Sequence, residues 1–126
     1  MSHPIHTLMR LAVGAALLPL CTLAAAQAVP NGKQAYQECL ACHATGKGVN
    51  GVGPSLAGIV GSKAADVPGF QFSGPMKRSG IVWTIENLDK YIADPQAVVP
   101  GTRMPYSGMP EARQRAELIQ YLVTLN

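Results

Sequence analysis

Large aromatic side chains are scarce in this chain of 126 residues, which has one Trp, two Phe and four Tyr. So few rings make a thin core for a protein of this size. Charge is sparse as well: ten Lys and Arg against seven Asp and Glu leave +3. That balance excludes the clustered basic footprint of a nucleic-acid binder. The apolar content, 48%, excludes a disordered tail. Cysteine and histidine number three each, which limits any site built from them.

The N-terminus differs from the rest. Arg10 precedes LAVGAALLPLCTLAAAQ, an apolar run with small residues at its end. This is the pattern of a secretory leader, and Ala24 and Ala26 suit a cut after Ala26, with Ala28 as the second choice. The run is too short to favour a membrane-spanning helix of ~20 residues. A retained anchor is the weaker alternative, and a lipid-modified Cys21 is disfavoured by the bulky Leu20 before it. The expected organisation is a leader over 1–26 and one domain over 27–126, exported to the periplasm with no span after cleavage. Cleavage removes Arg10, Cys21, His3 and His6. The mature chain then keeps nine basic and seven acidic residues, two cysteines and a single histidine.

Those survivors stand together in ECLACHATG, as Cys39, Cys42 and His43. A structural zinc site wants four Cys or His ligands, and the mature chain cannot supply them. A thiol-redox pair belongs beside a βαβ pattern, which is missing here. C-x-x-C-H is instead the attachment signature of a c-type haem. Two thiols one helical turn apart can add to the two vinyl groups on one edge of a porphyrin. The next residue then carries an imidazole beneath the iron. One covalently attached haem c, held by Cys39 and Cys42 with His43 as iron ligand, is the expected cofactor.

With one histidine left, bis-histidine ligation is excluded, and methionine is the natural sixth ligand. Met104 lies in VVPGTRMPYSGM, where Pro100, Gly101 and Pro105 make a stiff loop. Met109 at the edge of the last helix ranks second, and Met76 in FSGPMKRSG third. Any of them could instead fill gaps in the core.

Three main helices are expected. The first opens at Asn31 with Gln34 completing a cap and runs to about Cys42. The second lies in WTIENLDKYIADP, capped by Thr84, with Ile85, Leu88, Tyr91 and Ile92 on its apolar face and Pro95 ending it. The third starts near Pro110, with Leu118, Ile119, Tyr121, Leu122 and Leu125 inward. The 39 residues between His43 and Trp83 show weak periodicity, which a loop wrapped around a cofactor would explain. The haem would then serve as core, and the chain without it would be largely unfolded.

CLACH, GPSLAGIVG, PGFQF, SGIVW, ENLDKYIADP, PGTRM and ELIQYL follow one another in the order found in class I cytochromes c of the mitochondrial-type branch, which residues 31–126 resemble. The resemblance implies an all-α fold of three main helices and long loops around one haem, and an electron carrier rather than an enzyme. It implies Met104 as axial ligand and the Pro54 carbonyl as acceptor for the His43 ring N–H. It further implies that Trp83 and Thr102 contact a haem propionate and that Tyr91 reaches toward the Met104 sulfur. Gly32 and Tyr36 would meet Leu118 and Tyr121 where the first and last helices cross. Trp83, Tyr91 and Tyr121 serve equally well as core aromatics.

The chain departs from its relatives at Ser62, where many have an arginine on a propionate, at Phe72, often a tyrosine, and at Met76, often an asparagine. The propionate network should therefore be thinner. Glu38 precedes Cys39, and Gln96 and Ala97 occupy positions that are often basic, leaving Lys47, Lys63 and Arg103. The expected partners are redox proteins with a weakly charged or mixed face: a donor dehydrogenase or cytochrome complex and an acceptor oxidase or reductase, met by a monomer. A cytochrome subunit dedicated to one dehydrogenase or oxidase is the alternative, and a haem enzyme or gas sensor with an open sixth position is a remote one.

Overall fold

The structure, a computed structural model, describes the backbone of residues 21–126 and the side chains from Ala28 onward. Its helices are α1 (Cys21–Ala35), α2 (Gln37–Leu40), α3 (Gly74–Arg78), α4 (Ile85–Ala93), α5 (Pro95–Val98) and α6 (Ala112–Val123). Among the described residues no strand forms; Lys63 and Val82 make one isolated antiparallel bridge. No helix among them is long and apolar enough to cross a membrane.

The first helix corrects the sequence reading. It is already under way at Cys21 and passes through Pro30, so Asn31 lies inside it and caps nothing. The run of alanines before Pro30 is strongly helix-forming, which offsets part of what an interior proline costs in its missing N–H bond and its clash with the carbonyl four residues back. The Asn31 amide instead donates to Glu117 Oε1 of α6 at 3.1 Å. Of the expected leader, residues 1–20 lie outside the described residues, and both expected cleavage points fall within α1.

α1 and α6 cross where Gly32 lets them touch. A Cβ on Gly32 would collide with the Glu117 carbonyl and lie 2.8 Å from the Tyr121 Cβ. The rings of Tyr36 and Tyr121 pack tilted with centroids 5.3 Å apart. Leu118, Ile119 and Leu122 are buried behind them. α6 starts two residues beyond Pro110 because the Glu111 carboxylate caps it, accepting from the Arg113 N–H at 3.3 Å.

α4 begins as expected, with Thr84 Oγ1 accepting from the Asn87 N–H at 3.1 Å. Leu88, Tyr91 and Ile92 face the core, but Ile85, in the open first turn, is 52% exposed. Pro95 ends α4 and starts α5, capped by Asp94, which accepts from the Ala97 N–H at 3.0 Å. Arg115 joins α6 to α4 through Asp89 at 2.7 Å and also donates to the Met109 and Pro110 carbonyls, each at 2.9 Å.

The long connection before Trp83 is ordered by its own polar groups. Asn50 accepts from the Ser55 N–H at 3.0 Å and donates to the Pro68 carbonyl at 2.9 Å. Buried Ser55 donates to the Gly46 carbonyl at 2.7 Å. Inside this stretch the sequence reading missed α3, capped by Ser73 with Pro75 in its first turn.

Candidate functional site

One cavity of about 590 Å³ lies between these elements, within the size range of cofactor and ligand sites. Cys39, Cys42, His43 and Met104 all line it. So do Leu56, Ile59, Met76, Trp83, Leu88 and Leu122, which make it largely apolar.

The CLACH segment is held as a helical turn. The Cys42 N–H and the His43 N–H both donate to the Cys39 carbonyl, at 3.1 and 2.9 Å. The Tyr36 hydroxyl donates to the His43 carbonyl at 2.7 Å, and the Gly53 N–H to the Cys42 carbonyl at 2.8 Å. The ring is fixed as firmly. His43 Nδ1 lies 2.7 Å from the Pro54 carbonyl oxygen. A carbonyl can only accept, so Nδ1 carries the proton and the Nε2 lone pair is left free. Gly53 packs against the ring: a Cβ there would clash with Cε1 and stand 2.7 Å from Nδ1 and 2.9 Å from Nε2.

Both cysteines are free thiols, and no group of three or more His, Cys, Asp or Glu among the described residues is arranged to hold a metal. Burial, then the neighbouring Glu38 and Cys42, push the Cys39 thiol up to about 11. It is neutral at ordinary pH, unlike a reactive redox cysteine.

The methionines separate. Met109 is 2% exposed and packs in the core away from the cavity. Met76, on α3, and Met104, half-buried in the loop, both line it. The Tyr91 hydroxyl, beside the same cavity as Met104, pairs with the Thr102 hydroxyl at 3.0 Å. Two buried hydroxyls so close satisfy each other. Burial pushes the Tyr91 pKa up, and the Thr102 bond offsets this only in part. The Trp83 ring packs on Tyr91 with centroids 4.9 Å apart. Its indole N–H has no protein acceptor among the described residues, although Trp83 lines the cavity.

The departures have a structural counterpart. The Ser62 hydroxyl donates to the Ile59 carbonyl at 2.8 Å and does not line the cavity. Phe72 packs edge-on against Phe70 at 4.8 Å. The charged residues at the cavity are Glu38, Lys63 and Arg103.

Three contributors were not foreseen. Gly53 seats the imidazole. Gly108, at φ 103°, approaches the Ala93 carbonyl so closely that a Cβ would collide with it, which holds the loop beyond Met104 on α4. The Tyr106 hydroxyl donates to Glu38 at 3.0 Å. Glycine count alone flags the first two weakly; nothing in the sequence signals the third.

An apolar cavity edged by two thiols and a fixed imidazole with a free lone pair fits a porphyrin that is attached through sulfur and ligated through nitrogen. Comparison with known proteins agrees. Residues 29–126 match the cytochrome c family. Cytochrome c2 of Rhodomicrobium vannielii is 43% identical over 113 residues, covering 89% of this chain and 90% of the relative. Cytochrome c2 of Rhodopila globiformis is 51% identical over 87 residues, covering 69% of this chain and 82% of the relative. The solved structure of cytochrome cH from Methylobacterium extorquens superposes with a TM-score of 0.73 at 40% identity, covering 76% of this chain and 97% of that one. The chain therefore belongs to the cytochrome c family, class I, as an electron-transport protein rather than an enzyme, with a covalently bound c-type haem and its iron.

Proposed function

We propose that this protein is an exported carrier of single electrons in which Cys39 and Cys42 hold the haem through thioethers and His43 and Met104 ligate its iron. The observation that carries this reading is the convergence of all four side chains on one cavity, with the His43 ring fixed at 2.7 Å from Pro54. When bound, the haem supplies a one-electron iron couple whose potential Met/His ligation raises. The protein's own part is to keep its atoms still. Tyr36, Pro54 and Gly53 fix the backbone and ring of His43, and the Pro54 carbonyl makes that ring a stronger donor. Thr102 and Gly108 pin the ends of the loop that bears Met104. Trp83 offers its free N–H to a propionate, with Lys63 and Arg103 as the nearby cations.

Met104 is preferred over Met76 because Met76 is buried on a capped helix, whereas Met104 stands on an irregular loop that can present its sulfur. Replacing each with alanine tests this. Met104→Ala should abolish the far-red methionine–ferric iron band and open the ferrous protein to carbon monoxide; Met76→Ala should keep the band. The opposite pattern would overturn the assignment.

Export and a periplasmic site rest on the leader. With a cut after Ala26, α1 would begin at Gln27 and Pro30 would sit in its first turn, where a missing N–H costs nothing. The partners are redox proteins, a donor dehydrogenase or cytochrome complex and an acceptor oxidase or reductase, met by a monomer. Glu38 beside Lys63 and Arg103 gives a mixed cavity edge, so association should depend only modestly on salt. The same mixed edge favours a second reading, a cytochrome dedicated to one dehydrogenase or oxidase; co-elution with that enzyme in gel filtration at ordinary salt would support it over a free carrier.

A further inference from the structure

Residues 103–108 carry Met104 past the cavity, and among the described residues none of them takes part in a backbone–backbone hydrogen bond. The neighbours on either side do: the Thr102 N–H donates to Val99 and the Met109 N–H to Ile92. A stretch with no ladder of its own opens at little cost. Its hydrogen-bonded anchors are two side chains. Arg103 Nη2 donates to the Gln71 carbonyl at 2.7 Å, one residue before Met104. The Tyr106 hydroxyl donates to Glu38 Oε2 at 3.0 Å, two residues after it. Glu38 immediately precedes Cys39, and both Glu38 and Tyr106 line the cavity. This bond therefore joins the methionine-bearing loop directly to the cysteine-bearing turn.

We propose that Tyr106 and Glu38 form a latch that keeps the loop closed, holding Met104 on the iron and small ligands out. The proposal rests on Met104 as sixth ligand. Tyr106 and Glu38 are positioning residues: they act through Met104. The loss of a hydrogen bond to an exposed carboxylate, at about 1.4 kcal/mol, changes an opening equilibrium by about tenfold.

The test is titration of the ferric holoprotein at pH 7 with imidazole, a small neutral ligand that must displace Met104, followed by loss of the far-red band. Tyr106→Phe and Glu38→Ala should each bind imidazole about tenfold more tightly than the parent. Glu38→Gln keeps an acceptor oxygen and should stay within about twofold of the parent. The double variant Tyr106→Phe/Glu38→Ala should bind no more tightly than either single one, because both remove the same bond. Single variants that match the parent would overturn the latch. So would a double variant near a hundredfold, which would mean independent effects, or Glu38→Gln behaving like Glu38→Ala, which would mean that charge acts rather than the bond. A parent without the far-red band would refute the Met104 assignment and the latch together; a parent with the band and unmoved affinities would refute the latch alone.

Discussion

Gly53→Ala adds one methyl group at a place where the backbone tolerates alanine and the surroundings do not. Gly53 is not among the glycines with positive φ, so no conformational strain is introduced. The new Cβ would stand 2.7 Å from His43 Nδ1 and 2.9 Å from Nε2, with Cε1 nearer still. They belong to a ring whose Nδ1 is held by the Pro54 carbonyl at 2.7 Å, so the imidazole cannot yield without straining or losing that bond. Overpacking of this kind costs about 1–3 kcal/mol, and the lost hydrogen bond about 1 kcal/mol more. The expected total is roughly 2–4 kcal/mol. In guanidinium unfolding of the holoprotein, with a slope near 3 kcal/mol per molar, the midpoint should fall by about 1 M.

Gly48→Ala is the matching control. Gly48 has φ 75°, and a Cβ added there would meet nothing within 4 Å, so only the backbone objects. That left-handed conformation costs an alanine roughly 1–2 kcal/mol. Gly53→Ala should therefore be the more damaging substitution, and it alone should disturb the His43–iron spectrum. A midpoint for Gly53→Ala no lower than that of Gly48→Ala, with an unchanged spectrum, would refute the claim that Gly53 seats the imidazole.

Other outcomes follow from the same geometry. Met109→Ala should cost about 2–5 kcal/mol, as for any buried methionine emptied to alanine, and leave the methionine–iron band intact, measured by unfolding and by absorbance. The Glu117 carboxyl is held below the usual carboxylate range, first by the Asn31 amide and then by Arg113. Its contribution is therefore present above the ordinary glutamate pKa of about 4.3 and is lost as pH falls through the lowered value. Asn31→Ala should flatten the pH dependence of unfolding below about pH 5, and an unchanged profile would count against the α1–α6 tie. Cys39→Ala/Cys42→Ala, expressed without haem attachment, should give little helical circular dichroism and no cooperative melt.

The elements legible in the sequence were those whose signals are local. Thr84 before an apolar stripe became the cap of α4, and Cys39, Cys42 and His43 came together because one helical turn requires it. Ser73 followed by Pro75 carried the same kind of signal for α3, but the glycines around it concealed a helix of five residues. Asn31 misled because a good capping residue was read without the alanines ahead of it. Ile85 fits the helical period of its neighbours yet is exposed, since periodicity does not say where a helix's first turn meets solvent. Loop context already put Met104 ahead of the other methionines; in three dimensions Met109, five residues on, lies away from the cavity, while Met76 lines it together with Met104. Tyr106 could not be read at all, because its partner is 68 residues away.

The cavity itself explains why a chain with one Trp and two Phe can fold. Tyr36, Ile119 and Tyr121 pack at the α1–α6 crossing, but Trp83, Leu88, Tyr91, Ile92, Leu118 and Leu122 face the cavity space. A dry void of 590 Å³ at about 24 cal/mol per Å³ would cost about 14 kcal/mol. That is an upper figure, since water can enter, but wetting those apolar walls forfeits much of their burial instead. The whole stability of a small domain is about 5–15 kcal/mol. Either way the deficit is comparable with everything the fold has to offer, so the helices and the haem must stabilise one another. If the unattached chain nevertheless melted cooperatively with native helicity, the walls would have to collapse onto each other, and a smaller cavity would then be the resting state of the polypeptide.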